Sequence, residues 1–160
     1  GEGLVSIDSV YAPGNSAAAV SFEGDLALGF ASVLEIELGG TGAGEFDRLL
    51  IDGDLDIGDL SQLDVSLIDG FDLGFGQEFL FADVEGSLNG VFNGLSEGAT
   101  VGNYGGQDLF ITYNGFGGNA GVGLFTAVPE PSSVLTLVFI GMGAMLRRKR
   151  AATVVGSQVT

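Results

Sequence analysis

Apolar and polar residues alternate along most of the chain. The stretch SVLEIELGG places Leu34, Ile36 and Leu38 on one face of a strand. Glu35 and Glu37 fall on the opposite face. Strict alternation of this kind is typical of half-buried β-strands. Four later stretches repeat the pattern, with inward positions at Leu49, Ile51, Leu55 and Ile57, at Leu63, Val65 and Leu67, at Phe79 and Phe81, and at Leu109, Ile111 and Tyr113. We therefore predict an all-β body.

Glycines separate these strands, and the chain has 29 of them. Asn-Gly pairs beginning at Asn89, Asn93 and Asn114 predict turns with positive φ, and SLNGVF predicts a tight hairpin. The stretches GDLALG from Gly24 and GDLDIG from Gly53 echo each other at a spacing of 29 residues. Such echoes are typical of a β-solenoid, although a β-sandwich also has short alternating strands. The pattern alone leaves both architectures open.

Residues 34–113 resemble a known class of bacterial protein. The run LEIELGGTGAGEFDRLLIDGDLDIGDLSQLDVSLIDGF, then GQEFLFADVEGSLNGVF and GGQDLFITYN, is similar to the closing segment of autotransporter-like, β-helical surface proteins. The resemblance implies a right-handed parallel β-helix that ends in capping strands. We expect residues 1–113 to be the C-terminal part of a longer β-helical region, in a precursor with its own N-terminal signal peptide. Residues 114–127 are predicted to be a Gly-rich linker.

Composition removes several function classes. With no Cys and no His, the chain has no thiolate nucleophile, Ser-His-Asp relay or imidazole metal ligand. All 21 acidic residues but only one base, Arg48, lie within residues 1–146, and the net charge is −16. Such a body repels phosphate backbones, so we expect no nucleic-acid partner. We also expect no enzyme activity and no catalytic residue, and Arg48 should pair with a neighbouring Asp.

Asp52, Asp54 and Asp56 are the strongest metal candidates. Their spacing resembles a calcium loop, but an EF-hand needs Gly and Glu where Ile57 and Leu63 stand. The simpler interpretation is a solvated strand face. We therefore expect no cofactor and keep weak calcium binding as a hypothesis.

The C-terminal stretch VPEPSSVLTLVFIGMGAMLRRKR has three parts. Pro129, Glu130 and Pro131 favour an extended segment, because proline disfavours helix at the residue before it. The following apolar run predicts one transmembrane helix at about 133–147, which at about 22 Å is short for a 30 Å hydrocarbon core. Residues 151–160 are predicted to be a disordered tail. By the positive-inside rule, the basic cluster stays cytoplasmic and consists of Arg147, Arg148, Lys149 and Arg150.

This order of parts in residues 128–150 resembles the PEP-CTERM sorting signal of exported proteins in Gram-negative bacteria. The resemblance implies that a membrane protease, exosortase, recognises Pro129, Glu130 and Pro131 and removes the helix. The precursor would be held in the inner membrane, and the product would reach the cell surface or an exopolysaccharide matrix. We expect a structural or adhesin-like protein. Two alternatives are a carbohydrate-active enzyme with its catalytic part upstream and a calcium- or ice-binding surface protein.

Overall fold

The computed structural model describes residues 3–118 and 120–130. These residues form β-strands and no helix, which confirms the all-β prediction. The strands are short, as expected for a chain so rich in glycine. In chain order they are β1 (Val5–Ile7), β2 (Val10–Tyr11), β3 (Ala19–Phe22), β4 (Leu26–Leu28), β5 (Val33–Leu38), β6 (Arg48–Ile51), β7 (Leu55–Ile57), β8 (Gln62–Leu67), β9 (Glu78–Val84), β10 (Leu88–Asn89), β11 (Thr100–Tyr104), β12 (Gln107–Thr112) and β13 (Gly121–Thr126).

The strands form three sheets whose neighbours come from successive passes of the chain. Sheet A has the order β1-β4-β7-β10, sheet B has β2-β5-β8, and sheet C has β11-β12-β13-β9-β6-β3. All pairs in sheets A and B, and the pairs among β3, β6 and β9, are parallel. We call each pass a rung: rung 1 is residues 3–22, rung 2 is 23–51 and rung 3 is 52–84.

The register explains the sequence echo. Leu26 pairs with Leu55 in sheet A and Val33 pairs with Gln62 in sheet B. These offsets equal the 29-residue separation of the hydrogen-bonded Ser32 and Ser61. Equivalent positions of rungs 2 and 3 therefore stack directly.

Most of the predicted inward residues form the core, and Leu63, Leu67 and Tyr113 are partly buried and pack against it. Leu26, Leu34, Leu49, Leu55 and Phe79 are among its fully buried side chains. Outward positions of β5, β6 and β7 stay at least partly exposed, so the alternation predicted the buried face of these strands correctly. Full burial of one such side chain contributes about 1.5–3 kcal/mol, which makes this stacked interior the main source of stability.

Glycines occupy one corner of the stack in successive rungs. The amide of Gly53 donates to the carbonyl of Gly24, and the amide of Gly86 donates to that of Gly53. A Cβ placed on Gly53 would lie 2.6 Å from the carbonyl carbon of Gly24, and one on Gly86 would lie 2.6 Å from the carbonyl oxygen of Gly53. The corner therefore requires residues without side chains.

The last strands of sheet C reverse direction. β13 pairs antiparallel with β9, β12 with β13, and β11 with β12. A register shift opposite β9 pairs Val122 with Ala82 and Gly123 with Leu80, which leaves Phe81 as a bulge. Because of the bulge, Phe81 and Ala82 are both fully buried although they are consecutive.

Two predictions are wrong. Residues 114–127 are not a linker throughout, because β13 lies inside sheet C and is mostly buried. Its glycines permit close approach, since a Cβ on Gly123 would collide with the ring of Phe116. The stretch SLNGVF is not a hairpin, because β10 pairs parallel with β7 instead. The positive φ predicted at the Asn-Gly pairs is confirmed at Gly90, Gly94 and Gly115.

The compact body formed by these sheets ends at Ala127. Within residues 3–118 and 120–130, no helix is long and apolar enough to cross a membrane. The predicted transmembrane helix at about 133–147 and the predicted tail at 151–160 lie outside the described residues.

Candidate functional site

An acidic hollow lies at the glycine corner of the stack. It has a volume of about 470 Å³, and Gly24, Gly53 and Gly86 form its glycine lining. The absence of side chains at these positions leaves room for the carboxylates of neighbouring residues. We call this feature the acidic hollow, and its carboxylates belong to Glu23, Asp25, Asp52 and Asp54.

Aspartates of this corner link one rung to the next. Asp25 Oδ1 accepts a hydrogen bond of 2.8 Å from the amide of Asp54. Asp54 Oδ1 in turn accepts one of 2.6 Å from the amide of Ser87. Hydrogen bonds to a carboxylate are stronger than neutral ones, so these aspartates hold the corner together.

The three calcium candidates are separated in role. Asp54 is half-buried and accepts a hydrogen bond that links the glycine corner to the next pass of the chain, whereas Asp52 and Asp56 are exposed. Asp56 Oδ1 accepts a 2.9 Å hydrogen bond from the side-chain amide of Asn89 on the adjacent strand. Of the three, the structure brings Asp52 and Asp54 into the acidic hollow, and Asp56 is not among its lining residues.

Among the described residues, no group of three or more acidic side chains is arranged to hold a metal ion. The carboxylates of the acidic hollow still create a negative potential that concentrates cations diffusely. Calcium binding at Asp52, Asp54 and Asp56 stays a prediction.

Arg48 pairs with a neighbouring aspartate, as predicted. Its guanidinium nitrogen Nη2 lies 3.6 Å from Asp83 Oδ2, with both side chains partly exposed. Arg48 lies on β6 and Asp83 on the adjacent β9, so the pair bridges rungs 2 and 3. Partly exposed pairs of this kind add at most about 1 kcal/mol.

Asp47 is a structural carboxylate that the sequence interpretation missed. It is 1% exposed, and its two oxygens accept hydrogen bonds from the amides of Ala18 at 2.8 Å and Glu37 at 2.9 Å. One of these donors belongs to rung 1 and the other to rung 2. The signal was present in the alternation, since Asp47 shares the parity of the inward residues Leu49 and Ile51.

Two tyrosine hydroxyls hold the antiparallel strands against neighbouring segments of the body, namely the loop before β11 and strand β8. The Tyr113 hydroxyl accepts from the amide of Phe92 at 2.9 Å and donates to the carbonyl of Leu95 at 2.7 Å. The Tyr104 hydroxyl donates to the carbonyl of Val65 at 3.0 Å. Burial raises the pKa of the Tyr113 phenol, so it stays protonated and keeps donating at neutral pH.

The end of the body is clamped by a loop. Thr126 is 2% exposed, and its hydroxyl donates to the carbonyl of Gly74 at 2.7 Å and accepts from the amide of Gln77 at 2.9 Å. The Gln77 side chain also accepts from the amide of Gly74. These bonds fix the last strand where the body ends.

Beyond the clamp, Pro129 and Glu130 of the sorting motif are exposed and belong to no strand. Val128, just before them, is 72% exposed. The remaining predicted sorting residues lie outside the described part of the chain and are Pro131, Arg147, Arg148, Lys149 and Arg150.

Comparisons with protein-family models, curated proteins and solved structures found no match. The function therefore has to be argued from the residues of this chain and their arrangement.

Proposed function

We propose that this chain is the body and the sorting signal of an exported bacterial surface protein with a structural or adhesive role. In this proposal the body is the end of a right-handed parallel β-helix that continues a longer β-helical region and carries a cap of antiparallel strands. Residues 128–150 form a PEP-CTERM signal that is read and cut by an exosortase-type membrane protease.

The strand register supports the β-helical part of the proposal. Each rung contributes one strand to each of three sheets, and neighbouring rungs pair in parallel. Stacked corners with glycine and aspartate in equivalent places are typical of solenoid proteins. A β-sandwich, the alternative from the sequence, is instead built from antiparallel strands.

One observation carries the sorting part. The compact body ends at Ala127, and Pro129 and Glu130 follow at once as exposed residues outside any strand. A protease needs an accessible, extended segment, and such segments are found where the folded body stops. The position at which the predicted motif begins therefore suits cleavage that leaves the body intact.

A structural role fits the chemistry of the body. Its carboxylates at Asp25, Asp47 and Asp54 accept backbone hydrogen bonds between rungs. The implied partners are the exosortase, the inner membrane before processing and exopolysaccharide afterwards. The acidic surface keeps the released protein soluble and away from nucleic acids.

The test replaces Pro129, Glu130 and Pro131 with alanine in a host that has an exosortase. We expect the variant to remain in the membrane fraction at its full mass, while the wild-type chain is shortened and released. The matched control is Pro13→Ala, because Pro13 is the other proline of the chain and lies in rung 1.

The control variant should be processed like the wild type. Normal shortening of the triple-alanine variant, or equal processing in a host that lacks the exosortase, contradicts the sorting proposal.

A further inference from the structure

A second hollow lies on the outer face of sheet C, over β6 and β9. Its volume of about 290 Å³ is close to the lower limit of about 300 Å³ for small-molecule sites. Unlike the acidic hollow, it combines apolar side chains with a base and an acid. We call it the mixed hollow and define it by Thr41, Phe46, Arg48, Glu78, Leu80 and Phe116.

Phe116 and Leu80 give the mixed hollow an apolar surface. In the register of β13 and β9, Gly123 pairs with Leu80. A Cβ on Gly123 would lie 2.8 Å from Cζ of Phe116, so the ring rests directly on β13 at a position that only glycine leaves free. Both Phe116 and Leu80 are partly exposed, so this surface is open to a ligand.

The loop between β5 and β6 forms a preformed wall of the mixed hollow. Glu45 Oε2 accepts a hydrogen bond of 2.8 Å from the amide of Gly42, which holds the loop in a tight turn around Thr41. Phe46 is 6% exposed and packs edge-on against the core residue Phe79, with ring centroids 5.5 Å apart. The wall is therefore fixed to the core before any ligand arrives.

Arg48 and Glu78 supply the charged groups of the mixed hollow. Among the described residues, Arg48 is the one base. Its distance of 3.6 Å from Asp83 is longer than the 2.7–2.9 Å or so of a charge-assisted hydrogen bond, so guanidinium N–H groups remain free to donate elsewhere. Glu78 is exposed, and an ionised carboxylate only accepts. The hollow thus offers strong donors and acceptors beside an apolar surface.

A sugar ring matches this combination. A pyranose carries C–H groups on its faces and hydroxyl groups around its edge, and each hydroxyl both donates and accepts. It can therefore pack on an apolar surface while its hydroxyls bond to Arg48 and Glu78. Asp83 already faces Arg48, and the chain carries a net charge of −16, so an anionic sugar is repelled and a neutral one is favoured.

We propose that the mixed hollow binds a neutral pyranose unit of a saccharide. One face of the ring packs on Phe116 and Leu80. Arg48 donates to hydroxyl oxygens of the sugar, and Glu78 accepts from its hydroxyl groups. The inference deepens the adhesive role in the proposed function and rests on it for the source of the saccharide, whereas the binding itself depends only on the body.

The test titrates the isotope-labelled full chain, in a polyoxyethylene detergent, with the methyl glycosides of glucose, galactose and mannose. Backbone amide signals are followed by NMR. We expect at least one glycoside to shift the amides of Thr41, Leu80 and Gly123 with a dissociation constant on the order of 1 mM, as for polar ligands of about a dozen atoms. Glycerol, which lacks a ring, and glucuronate, which adds a carboxylate, should each bind at least about ten-fold more weakly.

Two substitutions locate the site. Glu78→Ala and Phe116→Ala should each weaken binding by at least about five-fold, because each removes a group that contacts the sugar. The matched controls are Glu35→Ala, at an exposed acid of sheet B, and Phe30→Ala, at an aromatic residue that is 65% exposed. Both should bind like the wild type. Because Glu78 is exposed, Glu78→Ala keeps the fold and carries the test alone if Phe116→Ala does not fold.

Three results overturn the proposal. The first is that no neutral glycoside shifts these amides at about 100 times the expected dissociation constant. The second is tighter binding of glucuronate than of every neutral glycoside. The third is equal weakening by the site variants and their controls. The titration uses no exosortase, so these results leave the sorting proposal unaffected, and a failure of sorting leaves the titration unchanged.

Discussion

Asp47 shows how one residue holds two rungs together. It is the one charged residue among the described ones whose side chain is fully buried, at 1% exposure. A buried carboxylate is tolerated only when hydrogen bonds replace its hydration, and the amides of Ala18 and Glu37 supply them. Asp47, just before β6, therefore holds its own segment to β5 and to the residue that precedes β3.

Replacing Asp47 with alanine should destabilise the body by about 2–4 kcal/mol, because two amides lose their acceptor within the protein. Urea unfolding of both proteins measures the difference. Asp52→Ala is the control, since Asp52 is exposed, and it should change the free energy of unfolding by less than about 0.5 kcal/mol. Equal effects of the two substitutions contradict the role given to Asp47.

Gly53→Ala tests the glycine corner. The new Cβ would lie 2.6 Å from the carbonyl carbon of Gly24, so the rungs must move apart, at a cost of about 1–3 kcal/mol. Gly44→Ala is the matched control, because a Cβ there meets nothing within 4 Å. It should be neutral or stabilise slightly through the unfolded chain. Thermal melting that ranks the two variants in the opposite order is inconsistent with a packed corner.

At the scale of elements, alternation predicted the strands and their buried faces but not their partners. Leu55 and Ile57 were correctly placed inward, yet nothing in their own stretch says that β7 pairs with β4 and β10. The partner of each strand is decided by residues that lie 29 and 33 positions away in the chain. The hydrogen bonds of Asp54 with Asp25 and Ser87 are examples. Only the GDLALG and GDLDIG echo carried that information.

β13 was missed because glycine has two uses. In residues 114–127 its frequency predicted a linker, whereas Gly121 and Gly123 lie in a buried strand. A Cβ on Gly121 would collide with the carbonyl oxygen of Ala82, so glycine there permits contact between strands. A local sequence pattern cannot distinguish a glycine that permits close strand contact from a glycine in a flexible linker. The atoms that exclude a side chain here belong to β9, which is distant in sequence.

Glu97, an exposed residue that precedes β11, is a carboxylate with a lowered pKa. Desolvation raises the pKa of Glu97, but hydrogen bonds from the Tyr113 amide and the Thr112 and Asn114 side chains outweigh it and hold the pKa below its ordinary value of 4.5. The Tyr113 amide lies 2.7 Å from Glu97 Oε2. The ionised form is therefore favoured in the folded protein.

A lowered folded-state pKa gives stability above the unfolded pKa that is lost as the pH falls through the folded value. We expect Glu97→Gln to be less stable than the wild type at pH 7, with a difference that disappears as the pH falls below 4.5. Urea midpoints of both proteins across this range measure it. A difference that is the same at acidic and neutral pH shows that Glu97 acts through something other than its charge.

At the scale of the whole molecule, acidic residues of neighbouring rungs lie opposite each other. Glu35 lies directly opposite Asp64 in sheet B, and both are exposed. Like charges opposite each other on neighbouring strands are destabilising, and the net charge of −16 adds a general repulsion. The inter-rung hydrogen bonds and the buried core offset this repulsion in the folded body.

Salt should therefore stabilise the body by screening. We expect the melting temperature to rise between about 0.01 M and 0.15 M NaCl, over which the Debye length falls from about 30 Å to 8 Å. Calcium chloride at equal ionic strength should give the same rise if the carboxylates act diffusely. A larger rise with calcium that Asp52→Asn and Asp54→Asn remove supports a specific site instead.

The candidate sorting site could be proposed from the sequence because the residues that define it are consecutive. Pro129, Glu130 and Pro131 followed by apolar and then basic residues need no tertiary context to be recognised. The inter-rung role of Asp54 did need it, because its partner Ser87 is 33 residues away. The proposed destination of the protein therefore stays a prediction, whereas the buried faces of β5, β6 and β7 are confirmed.

We propose that residues 128–150 are a processed sorting signal on a folded body. The intact mass of the protein recovered from the surface of an exosortase-bearing host tests it most directly. We predict a mass that has lost the apolar run and the basic cluster Arg147, Arg148, Lys149 and Arg150, and that keeps the body through Ala127. Surface protein that still carries residues 132–150 would contradict the claim.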